Sequence, residues 1–341
     1  MSVLVLALDS DFHADAVVAE LNEHGVPVVR IDPTETDRVP TLVRIECEEQ
    51  PSRAWFRSPD GRLIDLAAIT GVLCRFAVDT LIPGDSAAAL RMFAEAEGIA
   101  AFTAALRTIP RTRWINDPWL EARANCRVVQ ATAAHSHGLA VPPFIVSSLY
   151  EDLVAFADRH GACVIKALSD ASLARIGNRF VAPHELHTTD FLAPYTAPFV
   201  PLPTDATHSL DDTPSLVQVL IPKVADVRVT VVDSDVFAAA MICQQDDPVD
   251  FRRNRNIDCQ RVDLPATVAT SLVKVVQSLG MRFASCDLVV DRHGKYYFLE
   301  SNVSGNWLWT EHGAGLPISA RIAQALRQPP VVETAQSTAV C

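Results

Sequence analysis

No run of this 341-residue chain is apolar over the roughly 20 residues that a membrane-spanning helix needs, so no spanning helix is expected. The opening Met1-Ser2-Val3-Leu4-Val5-Leu6 lacks the basic flank and cleavage site of a secretory signal, and reads as a first buried strand. Positive charge is scarce: 29 Lys and Arg against 41 Asp and Glu leave a formal net charge of −12, which argues against a nucleic-acid partner. The eight cysteines (Cys47, Cys74, Cys126, Cys163, Cys243, Cys259, Cys286 and Cys341) form no C-x-x-C and no Cys/His zinc spacing. Cys74, Cys163 and Cys243 lie in apolar strand-like runs, as small buried hydrophobes do in a reducing cytoplasm. No glycine-rich turn follows the first strand, so there is no dinucleotide fingerprint. No G-x-x-x-x-G-K-[ST] occurs, so this is not a P-loop protein, and no internal repeat is present. With 49% hydrophobic and 21% charged residues, the composition is that of a soluble globular enzyme of two or three domains or subdomains.

Val3 to Leu8 is apolar enough for a buried parallel strand. Ala16, Val17, Ala19 and Leu21 recur at helical spacing over Asp11 to His24, Gly25 is placed to end that helix, and Val26 to Ile31 reads as the next strand. This is a β-α-β opening. Leu42 to Cys47 and Ala54 to Arg57 suggest an antiparallel pair. Gly71 to Phe76 reads as a buried strand containing Arg75, an arginine that is either salt-bridged in the core or faces an active site. Ser86 to Arg107 is a long alanine-rich helix, and Glu121 to His137 reads as one helix carrying Arg127. Strands are expected at Val141 to Val146, Cys163 to Lys166 and Leu216 to Ile221, with a helix from Leu149 to His160. Prolines 194, 198, 201, 203 and 214 make Phe191 to Ser215 a long loop or mobile cover. Val227 to Val232 and Val236 to Ile242 read as a hairpin, and Val268 to Leu279 and Pro317 to Leu326 as helices.

The chemistry concentrates between Cys286 and Trp309. Asp287 to Val290 reads as a strand, Asp291-Arg292-His293-Gly294 as a turn, and Tyr296 to Glu300 as the returning strand. Such a hairpin brings Asp287 and Glu300 to one end, with Asn302 on the same side. Flanking acids of hairpins are commonly solvated. Two carboxylates and an amide oxygen that converge would instead be the all-oxygen ligand set of a hard cation such as Mg2+. Arg127, Lys166, Lys223, Asp226, Arg228 and the Asp250-Phe251-Arg252 stretch precede this cluster. Cations beside a carboxylate–amide metal site suit a nucleoside triphosphate with its Mg2+.

In this order the motifs resemble the ATP-grasp superfamily. Asp287 with Glu300-Ser301-Asn302 is similar to its Mg-binding Asp and E-x-N, and Gln218 to Arg228 to its Q-x-x-I-x-K-x-x-D-x-R hinge. Asp250-Phe251-Arg252 resembles the D-[FW]-R loop of the branch that includes ribosomal-protein glutamate ligases. Trp114-Ile115-Asn116-x-Pro118, Gly305 to Glu311 and Gly315-Leu316-Pro317-Ile318 resemble the graspetide synthetases, which mature microviridin-like peptides. The resemblance implies an α/β (α+β) ATP-grasp fold behind an amino-terminal pre-ATP-grasp domain. The expected divisions are residues 1–112, 113–215 and 216–328, then a disordered tail at 329–341.

It also implies roles. Arg127 and Lys166 would contact phosphates, Gln218, Val219, Leu220 and Ile221 would line adenine, and Asp226 would bond the ribose. Arg228 and Arg252 would face the γ-phosphate or acyl phosphate, and Asp287, Glu300 and Asn302 would hold Mg2+. Lys223 is alternatively a solvated hinge residue, and Arg228 a partner of Asp226 or another acid. Arg127 departs from the family lysine, Val303 from proline and Asn306 from glutamine, and Ala167 to Phe180 is glycine-poor for a covering loop. The implied activity is an ATP-dependent ligase closing ester or amide crosslinks in a ribosomal precursor peptide with a leader segment and an acidic core. A second copy of the chain is a candidate partner. The alternatives are a ligase adding free amino acids to a terminus, and a non-catalytic binding homologue.

Overall fold

The computed structural model describes residues 2–32, 43–47, 53–58, 61–75, 89–166, 168, 175–176, 179–180, 196–198, 214–243 and 257–328. The chain opens with β1 (Ser2–Leu6), α1 (Phe12–Glu23) and β2 (Val28–Ile31). Asp11 caps α1, its carboxylate accepting the Ala14 N–H at 2.9 Å. Next come β3 (Val43–Glu46), β4 (Arg53–Arg57), β5 (Leu63–Asp65), β6 (Ile69–Cys74), α2 (Ala89–Leu106) and β7 (Trp114–Ile115). The order β2-β1-β6-β7 forms a parallel sheet, and β3-β4-β5 a small antiparallel one.

The single helix expected over Glu121 to His137 is two: α3 (Pro118–Ala124) and α4 (Arg127–Ser136). Cys126 takes an extended conformation (φ −73°, ψ 112°), which breaks the helical ladder. Gln130 compensates, its Nε2 donating to Ala124 O at 2.7 Å. The break puts Arg127 on the first turn of a helix rather than mid-helix.

The middle of the chain gives β8 (Phe144–Ser147), α5 (Tyr150–His160), β9 (Cys163–Lys166), β10 (Arg175–Ile176), β11 (Arg179–Phe180), β12 (Thr196–Pro198) and β13 (Ser215–Val219). Strands β12-β9-β13-β8 form an antiparallel sheet, with α5 burying Leu153 and Phe156 against Ile165 and Val217. The last part holds β14 (Lys223–Val232), β15 (Asp235–Cys243), β16 (Ile257–Arg261), α6 (Ala266–Ser278), β17 (Phe283–Asp291), β18 (Tyr296–Asn302), α7 (Leu308–Ala314) and α8 (Ile318–Arg327). The sequence reading had neither β16 nor α7.

The five-stranded antiparallel sheet β16-β15-β14-β17-β18 positions the site. Val227, Val229, Val231, Cys286, Leu288 and Phe298 share one core with Leu272, Val275 and Val276 of α6. Each large apolar side chain buried this way contributes about 1.5–3 kcal/mol. Val232, Phe283 and Trp307 instead join α8 and the first sheet's Val3, Val5 and Leu73. There the approach is close: a Cβ on Gly71 of β6 would lie 2.3 Å from Leu326 O of α8, so only glycine fits.

Candidate functional site

β17 and β18 pair Val290 with Tyr296, Val289 with Tyr297 and Leu288 with Phe298, and then Asp287 with Glu300. Leu299 is the extra residue of a β-bulge. Without it Leu299 would stand opposite Asp287, and Glu300 would turn away. The bulge puts Asp287, Glu300 and Asn302 on one face, with Asn302 Nδ2 3.5 Å from both Asp287 Oδ2 and Glu300 Oε1. On the other side of β17, Arg228 of β14 is the register partner of Asp287, with Nη1 2.7 Å from Oδ1. Arg127, at the start of α4, pairs with Glu300 Oε2. The buried Lys166 ends β9.

The two carboxyls differ. Burial raises the Glu300 pKa, but Arg127 and Lys166 outweigh it and hold the group down at about 2. Asp287 is pushed up, by burial first, with the Glu300 charge adding and Arg228 opposing. Two acids this close, with Asp287 pushed up despite its arginine, form an acidic pair that a bound cation would relieve. No cluster of three or more His, Cys, Asp or Glu occurs among the described residues, so the third donor here is an amide. The set is hard and all-oxygen capable, and it fits a cation of the Mg2+ type. As placed, Asn302 turns Nδ2 to the carboxylates; the two ends of an amide are alike in shape. Arg228 Nε is buried with no partner among the described residues, which leaves one donor for an anionic group.

The other residues singled out from sequence are placed as follows. Gln218 is buried on β13 between β8 and β9, its Nε2 3.5 Å from Pro142 O. Val219 N donates to Pro143 O and Leu220 N to Ala162 O, both at 2.9 Å, so the stretch to Ile221 leaves one sheet and leads into β14 of the next. Lys223 is not a solvated residue: its Nζ lies 2.7 Å from Asp226 Oδ2 and its side chain is 11% exposed. Arg228 pairs with Asp287 and not with Asp226. Asp250, Phe251 and Arg252 lie outside the described residues, as do Ala167 and residues 191–195 and 199–213 of the proline-rich stretch.

Sequence reasoning missed the clamps around the hairpin. The buried Asn116 donates from Nδ2 to Phe283 O (2.8 Å) and Val303 O (2.7 Å), and its Oδ1 accepts from Arg282 N and Phe283 N at 3.0 Å each. Gln130 covers the outer edge of β18, donating to Ser301 O at 2.6 Å and accepting from Ser301 N at 3.0 Å. Asn116 stood in a recognised motif, but without a role. Gln130 carried only the weak signal of an amide between apolar helical positions.

No family model and no curated protein matches this sequence. Solved structures do match. Macrocyclase MdnC from Microcystis aeruginosa MRC, bound with precursor peptide MdnA, is 23% identical over 96% of this chain and 99% of its own, with a TM-score of 0.71. ATP-grasp ligase PsnB, complexed with a phosphomimetic variant of its minimal precursor, Mg and ADP, is 22% identical over 96% and 97%, at 0.70. A Chryseobacterium gregarium RiPP-associated ATP-grasp ligase, in complex with ADP and a leader and core peptide, is 20% identical over 96% of each chain, at 0.69. At these identities the likeness defines architecture, and this chain has the mixed α/β fold of the ATP-grasp ligases over nearly its whole length.

Proposed function

We propose that this chain is an ATP-dependent ligase that activates side-chain carboxylates of a peptide and closes ester or amide crosslinks. The observation that carries this reading is the convergence of Asp287, Glu300 and Asn302 at the β-bulge, with Arg228 fixed beside them. Asp287, Glu300 and Asn302 would hold Mg2+, which when bound supplies charge neutralisation and orientation of the phosphates. Arg127 and Lys166 add positive charge from the other side, and the Gln218 to Ile221 stretch with Asp226 is the candidate adenine and ribose edge. The γ-phosphoryl group of ATP passes to a carboxylate oxygen of the peptide, and ADP leaves. A hydroxyl or amine of the same peptide then attacks the acyl carbon, and phosphate leaves with the bridging oxygen. The buried Arg228 Nε is the donor available to the negative charge that grows during both steps. Arg252 is proposed for the same task.

The related structures with precursor peptides support a peptide partner. None of the described helices is long and apolar enough to cross a membrane. The division at residues 1–112, 113–215 and 216–328 is proposed with this reading. The test incubates the protein with ATP, Mg2+ and peptides carrying Thr and Lys beside Asp and Glu. Expected are ADP release and the loss of one water from the peptide for each crosslink. A peptide that gains the mass of an amino acid would favour the chain-extending reading. Nucleotide binding with no ADP release for any acidic peptide, including those encoded beside this gene, would contradict a ligase.

A further inference from the structure

We infer that Arg75, on the first sheet, is a positioning residue for this site: it holds the loop 304–306 so that the loop fixes Arg228 against Asp287. The inference rests on the ligase reading. Arg75 follows β6, and its backbone N–H donates to Leu6 O at 2.9 Å, which anchors it at the carboxyl end of two parallel strands. Its guanidinium reaches out of that sheet in four directions. Nε pairs with Asp11 Oδ2 at 2.9 Å. Nη1 donates to Ser304 O at 3.1 Å and Gly305 O at 3.3 Å, and Nη2 to Asn306 Oδ1 at 3.2 Å. The cation also lies 4.9 Å from the Trp307 ring centre.

The next link is Asn306 itself. Its backbone oxygen accepts from Arg228 Nη2 at 3.2 Å, while Nη1 of the same guanidinium holds Asp287 Oδ1 at 2.7 Å. Arg75 thus acts on the acidic pair through two residues, Asn306 and Arg228. The loop has little freedom to transmit anything else. A Cβ on Gly305 would come within 2.7 Å of Ser285 Cβ and 2.9 Å of Asn302 O, and Ser304 Oγ is held by Glu121 Oε2 at 3.1 Å. The planar fork matters: one ammonium cannot reach an acid, two carbonyls and an amide at once. This also settles the sequence alternative for Arg75: it is salt-bridged in the core, and it serves the site from there.

The experiment is a double-mutant cycle of Arg75→Lys and Arg228→Lys, with Asn306→Ala as a second probe of the loop. Turnover and Mg2+-dependent ADP affinity by calorimetry are both measured, alongside melting. Arg75→Lys is expected to melt cooperatively, to lower kcat about tenfold or more, and to leave the KM for ATP within about twofold. In the Arg228→Lys background the same change should add less than about twofold, because the contact it acts through is already lost. If that background turns over too slowly in the steady state, the cycle is read on single-turnover rates. Equal effects in both backgrounds, or a folded Arg75→Lys with parental kcat and Mg2+ dependence, would overturn the inference while the ligase reading stands. A parent that neither binds nor turns over nucleotide would end both.

Discussion

Along β17 the side chains of Cys286 and Leu288 turn to one face of the five-stranded sheet and that of Asp287 to the other. On the first face Cys286 and Leu288 meet α6 and Phe298 in an apolar core, and burial pushes the Cys286 thiol up to about 12, so it stays neutral. On the second face Asp287 is also pushed up by burial, but Arg228 opposes the shift from the neighbouring strand. Neighbours on one strand thus follow opposite rules, Cys286 fully buried and the Asp287 side chain 22% exposed. The apolar face gains stability from area alone. The polar face is a set of charges that offset each other, and removing one leaves its partner uncompensated. Stability and chemistry are separable across one layer of backbone, and substitutions can test that separation.

The largest effect belongs to the polar face. Asp287→Asn keeps the shape and a hydrogen-bond acceptor for Arg228 but removes a carboxylate. It should lower ATP turnover by a factor on the order of 10²–10³ or more, while the protein still melts cooperatively. Steady-state kinetics beside calorimetric melting check this, and parental turnover would contradict it. On the apolar face, Phe298→Ala should cost about 3–5 kcal/mol in urea unfolding and leave kcat per folded molecule within a few-fold. A cost below about 1 kcal/mol would mean that this face is not the core it is taken for.

Gly305→Ala acts where the two sides of the separation meet. The added methyl cannot fit against Ser285 and Asn302 without moving the loop. A cost of about 1–3 kcal/mol is expected, together with a fall in kcat. Either change without the other would show that the loop's packing and its role in the site are independent.

A last effect, read against pH rather than at one condition, is expected at Glu121, on α3. Its Oε1 has no partner among the described residues, and burial raises its pKa from the ordinary 4.5 to about 7. An acid whose folded pKa is raised favours the folded state below the unfolded pKa. That advantage is lost as pH climbs from about 4.5 through about 7, since the unfolded chain ionises first. Glu121→Gln should therefore gain stability over the parent progressively across that window and gain nothing below it. Urea titrations at four or five pH values give the difference curve; a flat curve would contradict the assignment.

Much of this was legible in the sequence because it is local. The β17–β18 hairpin followed from the strand-like stretches Asp287 to Val290 and Tyr296 to Glu300 around the Asp291 to Gly294 turn, and the Asp287, Glu300 and Asn302 set from their spacing. The β-bulge that makes the set converge was not legible, since an extra residue is visible only against its partner strand. The partner of Arg228 was open for the same reason: Asp226 is two residues away in sequence, but Asp287 is the residue across the ladder. The break at Cys126 went unseen because no proline or glycine marks it; Gln130 stabilises it from the next helix. Arg75 was conspicuous as a charge in an apolar run, yet its acid lies 64 residues back and the loop it holds about 230 residues on.

On the proposed function, the Asp287 face binds a divalent cation together with nucleotide and the Cys286 face does not take part. Calorimetric titration of ADP, with and without Mg2+, into the parent, Cys286→Ala and Asp287→Asn tests it most directly. Mg2+ is expected to tighten ADP binding equally in the parent and in Cys286→Ala, and this gain is expected to vanish in Asp287→Asn. An undiminished gain in Asp287→Asn, with the protein folded, would contradict it.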